Sequence, residues 1–126
     1  MVAKQVSEFM SRAVHTVGPE TKVLEAARDM HRLNIGAMVV MQDGAPSGLF
    51  TERDLLVRVV TEGADPQKVP VSAVMTSKVM TVSPEAPVEV AALLMHKRGF
   101  RHLLVVEDGK LLGILSLRDI LEGLLP

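Results

Sequence analysis

The amino-acid sequence repeats itself at a spacing of 65 residues. When the chain is compared with itself at this spacing, 20 of the 51 positions from Val6 to Leu56 are identical to their partners, and no gap is needed. Unrelated sequences of ordinary composition agree at under about a tenth of their positions. The two halves therefore share one structural plan. Each half has roughly 55 residues, too few to bury much core alone, so we expect the halves to pair face to face.

Each half contains a predicted amphipathic helix. In the first half, apolar residues from Val23 to Leu33 recur at the spacing that places them on one helix face, and the second half repeats this pattern. A Pro-Glu pair, at Pro19 and at Pro84, comes shortly before each apolar pattern. We place this pair in the first turn of the helix, where proline is tolerated. We also expect Ser83 to cap the second helix.

A buried strand follows each helix and leads into a hairpin. Asn34 and Gly99 occupy equivalent positions at the helix ends, and they are the residue types best suited to a left-handed conformation there. The apolar runs that follow are short enough to be buried strands, and each is followed by an Asp-Gly pair, which is a strong hairpin signal. A second strand and a final helix, beginning at Thr51 or Ser116, complete each half. The apolar runs are Ala37–Met41 and Leu103–Val106, and the turn pairs are Asp43-Gly44 and Asp108-Gly109.

This order of elements predicts an α/β (α+β) fold with two tandem βαββα motifs. We expect residues 1–126 to form a single module. Within it, the first motif occupies 6–61, a linker with Gly and Pro occupies 62–70, and the second motif occupies 71–125.

Composition excludes several classes of function. Lys and Arg number 14 against 15 for Asp and Glu, so the net charge of −1 gives no basic field for nucleic acid. Three Phe and no Trp or Tyr are too few for base-stacking platforms. The absence of Cys excludes disulfides, thiolate metal sites and Cys nucleophiles, and fits a reducing compartment. No apolar run is long enough to span a membrane, and no signal peptide is apparent. We expect a cytoplasmic protein without nucleic-acid or membrane partners.

Two segments with the pattern G-h-h-[ST]-x-R-D carry the most chemical information. They are Gly48–Asp54 and Gly113–Asp119, each at a predicted strand-to-helix junction. The structural interpretation is a capping box, which is common at helix starts. The functional interpretation is a ribonucleotide site. A helix N-terminus and an Arg favour phosphate, a hydroxyl can donate to phosphate or ribose, and an Asp can accept from both ribose hydroxyls. Gly permits close approach of the backbone, and the two interpretations are compatible.

In this repeat and these two segments the chain resembles the CBS-domain family, and specifically a tandem CBS pair, or Bateman module. The resemblance covers the chain from Val6 to Leu124. It implies that the two motifs pack sheet to sheet with pseudo-twofold symmetry. In many members, two clefts between the motifs bind adenosine-containing ligands such as AMP, ADP, ATP or S-adenosylmethionine. It also implies flat dimers, and a regulatory rather than catalytic function that signals ligand occupancy to a protein partner.

The resemblance assigns roles to individual residues. It places the ribose hydroxyls at Asp54 and Asp119, and the phosphates near Arg53 and Arg118. Thr51 and Ser116 would lie beside ribose or phosphate. The remaining predicted contacts are to the nucleoside. They come from the first strand of each motif, from backbone at the adenine edge, or from aliphatic side chains around the base. The residues are Val14, Thr16, Ala37, Met38, Met75, Val79, Thr81, His102 and Leu103.

The two halves differ where some members of the family contact phosphate. Arg101 and His102 in the second half stand opposite Gly36 and Ala37 in the first. We therefore predict that the cleft using Asp119 is the better phosphate site. Lys78 would strengthen it if its side chain points inward.

Other interpretations stay open at this point. The motifs can form an empty structural scaffold that dimerises through apolar helix faces, or a small enzyme acting on a nucleotide. His31 and His96 form no local ligand spacing, and compensation of the helix dipole explains them more simply than a metal does. No nucleophile elbow, phosphate-binding loop or dinucleotide fingerprint is present. The sequence implies no catalytic residue and no required cofactor, and Mg²⁺ enters as an option only with ATP.

Overall fold

The computed structural model describes residues 4–125, so residues 1–3 and 126 of the predicted module lie outside the described part. The chain divides into two compact units. The first-motif unit comprises residues 15–79. The described part of the second-motif unit comprises residues 4–14 and 80–125.

The first-motif unit is built on a three-stranded sheet with the strand order β1-β2-β3. β1 runs parallel to β2, and β2 and β3 form an antiparallel hairpin. The short helix α2 continues directly into a π-helix, and a 3₁₀ turn follows the linker. The elements are β1 (Thr16–Val17), α1 (Val23–Leu33), β2 (Ala37–Gln42), β3 (Ala45–Thr51), α2 (Glu52–Asp54), the π-helix (Leu55–Val60) and the 3₁₀ turn (Val71–Ala73).

The second-motif unit repeats this plan with the strand order β4-β5-β6. Again the first two strands are parallel and the last two form an antiparallel hairpin. Its final helix is an α-helix without a π-helical part. The elements are a 3₁₀ turn (Val6–Glu8), β4 (Thr81–Val82), α3 (Val88–Arg98), β5 (His102–Glu107), β6 (Lys110–Ser116) and α4 (Leu117–Leu124).

The predicted order of elements and its turn chemistry are confirmed. Asn34 and Gly99 end the first helices of the two units with φ of 54° and 71°, the left-handed conformation expected of these residue types. In the first hairpin, Asp43 and Gly44 both have positive φ, 52° and 78°. This combination defines the type I′ turn, whose twist matches that of paired strands, and the second hairpin repeats it.

The predicted helix starts are wrong by several residues. Pro19 and Pro84 lie in turns that precede the helices, which begin only at Val23 and Val88. In the second unit the Ser83 hydroxyl accepts a hydrogen bond from the Glu85 N–H at 3.2 Å, so it closes a local turn and does not cap α3. Local hydrogen bonding by serine competes with helix capping, and here the turn is favoured.

Each unit has its own aliphatic core, formed by one helix face against one sheet face. In α1 the buried residues Val23, Ala26 and Met30 fall at three- and four-residue spacing. Full burial of an aliphatic side chain contributes about 1.5–3 kcal/mol, and Phe50 is the single buried aromatic residue in the described chain. The fully buried cluster members are Val23, Ala26, Val40, Phe50 and Val71 in the first-motif unit, and Val6, Ala91, Leu103, Val105 and Leu115 in the second-motif unit.

Each unit contains a segment that lies at the start of the other sequence repeat. The Thr76 backbone exchanges hydrogen bonds with Leu49 at 2.8 and 2.9 Å, so the start of the second repeat pairs with the first-motif sheet. In the same way the Ser11 backbone exchanges hydrogen bonds with Ile114 at 2.9 and 3.0 Å. The compact units therefore do not coincide with the repeats in sequence.

Two motif glycines make this pairing possible. A Cβ added at Gly48 would lie 2.8 Å from the Thr76 carbonyl oxygen, and one added at Gly113 would lie 2.7 Å from that of Ser11. Real Cβ atoms do not approach backbone oxygens so closely. The close approach that the motif glycine permits is thus to a strand of the same chain.

Replacing Gly48 or Gly113 with Ala should destabilise the protein by about 1–3 kcal/mol, because the backbone that faces the new methyl group must move. Urea unfolding followed by circular dichroism measures this loss. Gly18→Ala is the matched control, since its Cβ would meet nothing closer than 4.0 Å, and its stability should change by less than about 0.5 kcal/mol. Equal effects at all three positions would contradict the packing role.

Candidate functional site

The candidate site in each unit lies where the hairpin ends and the final helix begins. Thr51 and Ser116 are the N-cap residues, and each hydroxyl accepts from the N–H of the motif Asp, at 3.2 Å for Asp54 and 2.9 Å for Asp119. Each Asp carboxylate in turn accepts from the backbone N–H of the cap, at 3.0 and 2.9 Å. Both motifs are therefore capping boxes, as the structural interpretation predicted.

The start of the middle strand lies beside each cap. Ala37 pairs with Thr51, and His102 pairs with Ser116. The Leu117 N–H, the first of α4, donates to the Arg101 carbonyl oxygen at 2.9 Å. Because of this register, Arg101 and His102 lie at the same end of the sheet as the Ser116 cap.

The other predicted nucleoside contacts differ in exposure. Thr16 and Thr81 are exposed on the outer strand of their sheets, where a ligand can reach them. Met38 and Leu103 are buried, with 3% and 0% of their surface exposed, and they belong to the cores of their units. Their side chains pack within these cores, and the predicted contact of Met38 with a base stays a prediction.

The Asp54 carboxylate is buried, with 5% of the residue exposed, and is surrounded by donors. Oδ2 accepts from the Thr51 hydroxyl at 3.0 Å in addition to the Thr51 N–H. The Thr76 hydroxyl lies 3.0 Å from Oδ1 and 3.3 Å from Oδ2. The Arg58 Nε lies 3.7 Å from Oδ1. Both carboxylate oxygens are thus engaged by the protein itself.

The Asp119 carboxylate is half-buried and has far fewer partners. Among residues 4–125, the Ser116 N–H to Oδ2 is the one hydrogen bond that it accepts, and it forms no ion pair. The Ser116 hydroxyl accepts from Asp119 and donates to no described residue. A carboxylate has about four lone-pair positions, so the described residues leave most of its accepting capacity unused.

Two substitutions within the repeat explain this difference. At the 65-residue spacing, Arg58 corresponds to Gly123, and Thr76 corresponds to Ser11. A side chain at Gly123 would clash with the ring of Phe9, so an arginine has no room there. Sequence reasoning missed Arg58 and Thr76. The asymmetry of the repeat at these positions was the available signal.

The arginines assigned to phosphate are all exposed. Arg118 Nε forms an ion pair with Glu122 at 2.9 Å, and such a surface pair is worth about 0–1 kcal/mol, so a phosphate can replace it. Arg53 and Arg101 are also exposed. Lys78 belongs to the first-motif unit, whereas Asp119 belongs to the second, so its predicted contribution to the Asp119 site stays a prediction.

Two surface depressions lie in the first-motif unit. One of 430 Å³ lies beside the start of α1, between Lys22 and Gln67, and one of 240 Å³ lies between His31 and Glu52. Neither is lined by a residue predicted to bind ligand. In the described part of the chain, no group of three or more His, Asp or Glu side chains is placed to hold a metal ion. None of the helices described over residues 4–125 has the length and apolar character needed to cross a membrane.

Outside the candidate sites, the exposed carboxyl groups of Glu85 and Glu107 shift each other's pKa. The Ser83 hydroxyl donates to Glu85 at 2.6 Å and lowers the pKa of that carboxyl. A hydrogen bond with Glu107 lowers it further. The same hydrogen bond and the negative charge of Glu85 raise the pKa of Glu107, because a like charge nearby disfavours the ionised form. This pair does not adjoin either motif Asp in sequence.

Comparison with known proteins establishes the class to which these two capped βαββα units belong. The family model "CBS domain" matches residues 6–61 and again 71–126. The chain is thus a member of the CBS domain family and carries the domain in tandem.

Individual relatives agree with this membership. An uncharacterized protein from Methanopyrus kandleri is 37% identical over 124 residues, which are 97% of this chain and 63% of that protein. A solved CBS-domain containing protein from Agrobacterium tumefaciens is similar, with a TM-score of 0.89, 36% identity, and coverage of 97% of this chain and all of that one. A CBS domain protein from Pyrobaculum aerophilum, complexed with AMP, has a TM-score of 0.82 and 30% identity over 92% of this chain and 89% of its own.

The two motif carboxylates should contribute unequally to stability. Asp54→Ala should cost about 2–3 kcal/mol, because it removes a helix cap and leaves the donors of Thr51 and Thr76 without their acceptor. Asp119→Ala should cost about 1 kcal/mol, the ordinary value of a cap. Urea unfolding of the two variants under identical conditions provides the comparison. Equal losses would mean that the additional contacts of Asp54 contribute nothing.

Proposed function

We propose that this protein is a non-catalytic regulatory module that binds an adenosine-containing ligand through the Asp119 motif. The single observation that carries the proposal is the underused Asp119 carboxylate. Among the described residues one N–H donates to it, whereas three groups donate to the equivalent Asp54 and an arginine lies beside it. A half-buried carboxylate with open lone pairs suits the two adjacent hydroxyls of a ribose. The AMP complex of the Pyrobaculum relative supports this choice of ligand class.

The surrounding groups suit the rest of a nucleotide. The Ser116 hydroxyl is available to donate to a ribose or phosphate oxygen, and α4 directs its N-terminal dipole toward the same place. Arg101 and Arg118 are exposed cations, one on each side of the cap in sequence, and they provide charge-assisted hydrogen bonds for phosphate. No single group here is specific, but the combination provides a donor, an acceptor and two cations for one ligand.

Regulation follows if the ligand binds two arrangements of the protein with different affinity. A ligand shifts such an equilibrium only by the difference in its binding free energies, and the protein partner senses the shift. Mg²⁺ would accompany the ligand only if the ligand is ATP.

We further propose a homodimer in the cytoplasm, and the exposed apolar side chains on α3 and α4, such as Leu93 and Leu121, provide a surface for it.

The purified protein offers a direct test, because it has no Trp or Tyr and absorbs almost nothing near 280 nm on its own. A bound adenine nucleotide should dominate the near-ultraviolet spectrum and be identified by mass after release. Protein stripped of ligand should gain thermal stability with AMP, ATP or S-adenosylmethionine. A transparent protein without any thermal shift would favour the empty scaffold. Release of a modified nucleotide after incubation would instead favour an enzyme.

The Asp119→Ala variant tests the assigned residue. It should weaken AMP binding at least ten-fold, because it removes the acceptor for the ribose hydroxyls, and ten-fold corresponds to about 1.4 kcal/mol. Isothermal titration calorimetry measures the affinity. Glu89→Ala removes the same charge from the first turn of α3 in the same unit, away from the cap, and should leave the affinity unchanged. A larger loss from Asp54→Ala than from Asp119→Ala would reverse the ranking of the two motifs.

A further inference from the structure

We infer that the Asp54 motif is closed to ligand by Arg58 and Thr76, so that the chain binds one nucleotide although it carries two copies of the binding motif. The inference rests on the proposed function for its ligand class. It is carried by contacts within the first-motif unit alone, and it assigns Arg58 and Thr76 as the residues that decide how many ligands bind.

Donors of the protein occupy the acceptor positions of the Asp54 carboxylate. A ribose needs two acceptor positions on the carboxylate for its adjacent hydroxyls. At Asp54 the Thr51 N–H and hydroxyl both donate to Oδ2, and the Thr76 hydroxyl bridges both oxygens at 3.0 and 3.3 Å. Thr76 therefore occupies the position that a ribose hydroxyl would take. At the same position in the other repeat, Ser11 makes no hydrogen bond to Asp119.

The negative charge of Asp54 is balanced by Arg58. Arg58 Nε lies 3.7 Å from Asp54 Oδ1, and its Nη1 donates to the Met75 carbonyl oxygen at 2.9 Å. The guanidinium thus neutralises the carboxylate and also holds the segment that carries Thr76 against it. The Arg58 side chain is 51% exposed, so the ion pair alone is weak, but its second anchor fixes the geometry. Gly123 supplies no cation at the equivalent position.

The helical backbone after Asp54 differs from that after Asp119. Directly after Asp54 the helix widens into the π-helix, where the Thr61 N–H donates to the Leu56 carbonyl oxygen at 3.0 Å, five residues back. π-helical turns are rare and frequently accompany functional positions. The corresponding stretch of α4 is α-helical. Arg58 lies within this π-helical turn, so the feature that distinguishes the two helices coincides with the residue that closes the motif.

The two motif carboxylates also differ in burial. Asp54 is 5% exposed, and its equivalent Asp119 is half-buried. A ligand that used Asp54 would have to displace the Thr76 hydroxyl from a buried carboxylate. It would also have to break the contact between Arg58 and the Met75 carbonyl group. A ligand that used Asp119 would displace no donor among the described residues.

The test is a gain of function. The double variant Arg58→Ala/Thr76→Val removes the cation and the bridging hydroxyl while it keeps a β-branched side chain at position 76. Equilibrium dialysis with radiolabelled AMP counts the ligands bound per chain. We expect one for the wild type and two for the double variant. The additional site should disappear when Asp54→Ala is introduced into the double variant. Arg32→Ala is the matched control, because it removes an exposed, carboxylate-paired arginine from α1 of the same unit, and it should leave the count unchanged.

The outcomes separate this inference from the proposed function. A wild type that binds no AMP would count against the proposed function, while an additional site in the double variant would still support the closure. A wild type that binds two, or a folded double variant that gains nothing, would overturn the closure and leave the proposed function standing.

A second variant covers the case in which the double variant does not fold. Asp54→Asn keeps the shape of the side chain and one oxygen acceptor while it removes the charge. If the motif is closed, this variant should bind AMP with the affinity and count of the wild type. A five-fold or greater loss of affinity would show that Asp54 contacts the ligand and would overturn the closure.

Discussion

Each unit of this protein depends on a backbone pairing between segments that are distant in sequence. Thr76 pairs with Leu49, and Ser11 pairs with Ile114, at a hairpin strand whose glycine has no room for a side chain. This pairing brings the start of one repeat onto the sheet of the other repeat. In the first-motif unit it also places the Thr76 hydroxyl against the Asp54 carboxylate. The environment of the Asp54 motif therefore follows from this pairing.

The same atoms serve helix capping and the proposed binding of ligand, and the two uses compete for lone pairs. A carboxylate that accepts one N–H as a cap, as Asp119 does among the described residues, has lone pairs left for the proposed ribose. A carboxylate that also accepts two hydroxyls and faces an arginine becomes part of the structure, as Asp54 does. The two copies share the pattern of the motif but differ in the donors around the carboxylate. Arg58 and Thr76, which lie outside the motif, and the Thr51 hydroxyl within it engage Asp54.

Local structure was largely predictable because it depends on neighbouring residues. The Asp-Gly pairs specify tight turns, Asn34 and Gly99 specify helix ends, and the hydroxyl-Asp spacing specifies the caps. The helix starts were not predictable in the same way. Pro19 and Pro84 are acceptable both in a first helical turn and in a preceding turn, and hydrogen bonds such as that from Glu85 to Ser83 favoured the latter.

The sequence by itself determined the duplicated βαββα plan, the membership in the CBS domain family and the pair of motif carboxylates, because repeat spacing, periodicity and capping are local patterns. It did not determine which carboxylate remains available. That depended on whether a residue 22 positions from Asp54 lies against it, as Thr76 does, and on the room that Phe9 leaves at Gly123. Contacts of this kind exist only once the chain has folded, so only the tertiary structure distinguished two motifs that share one sequence pattern.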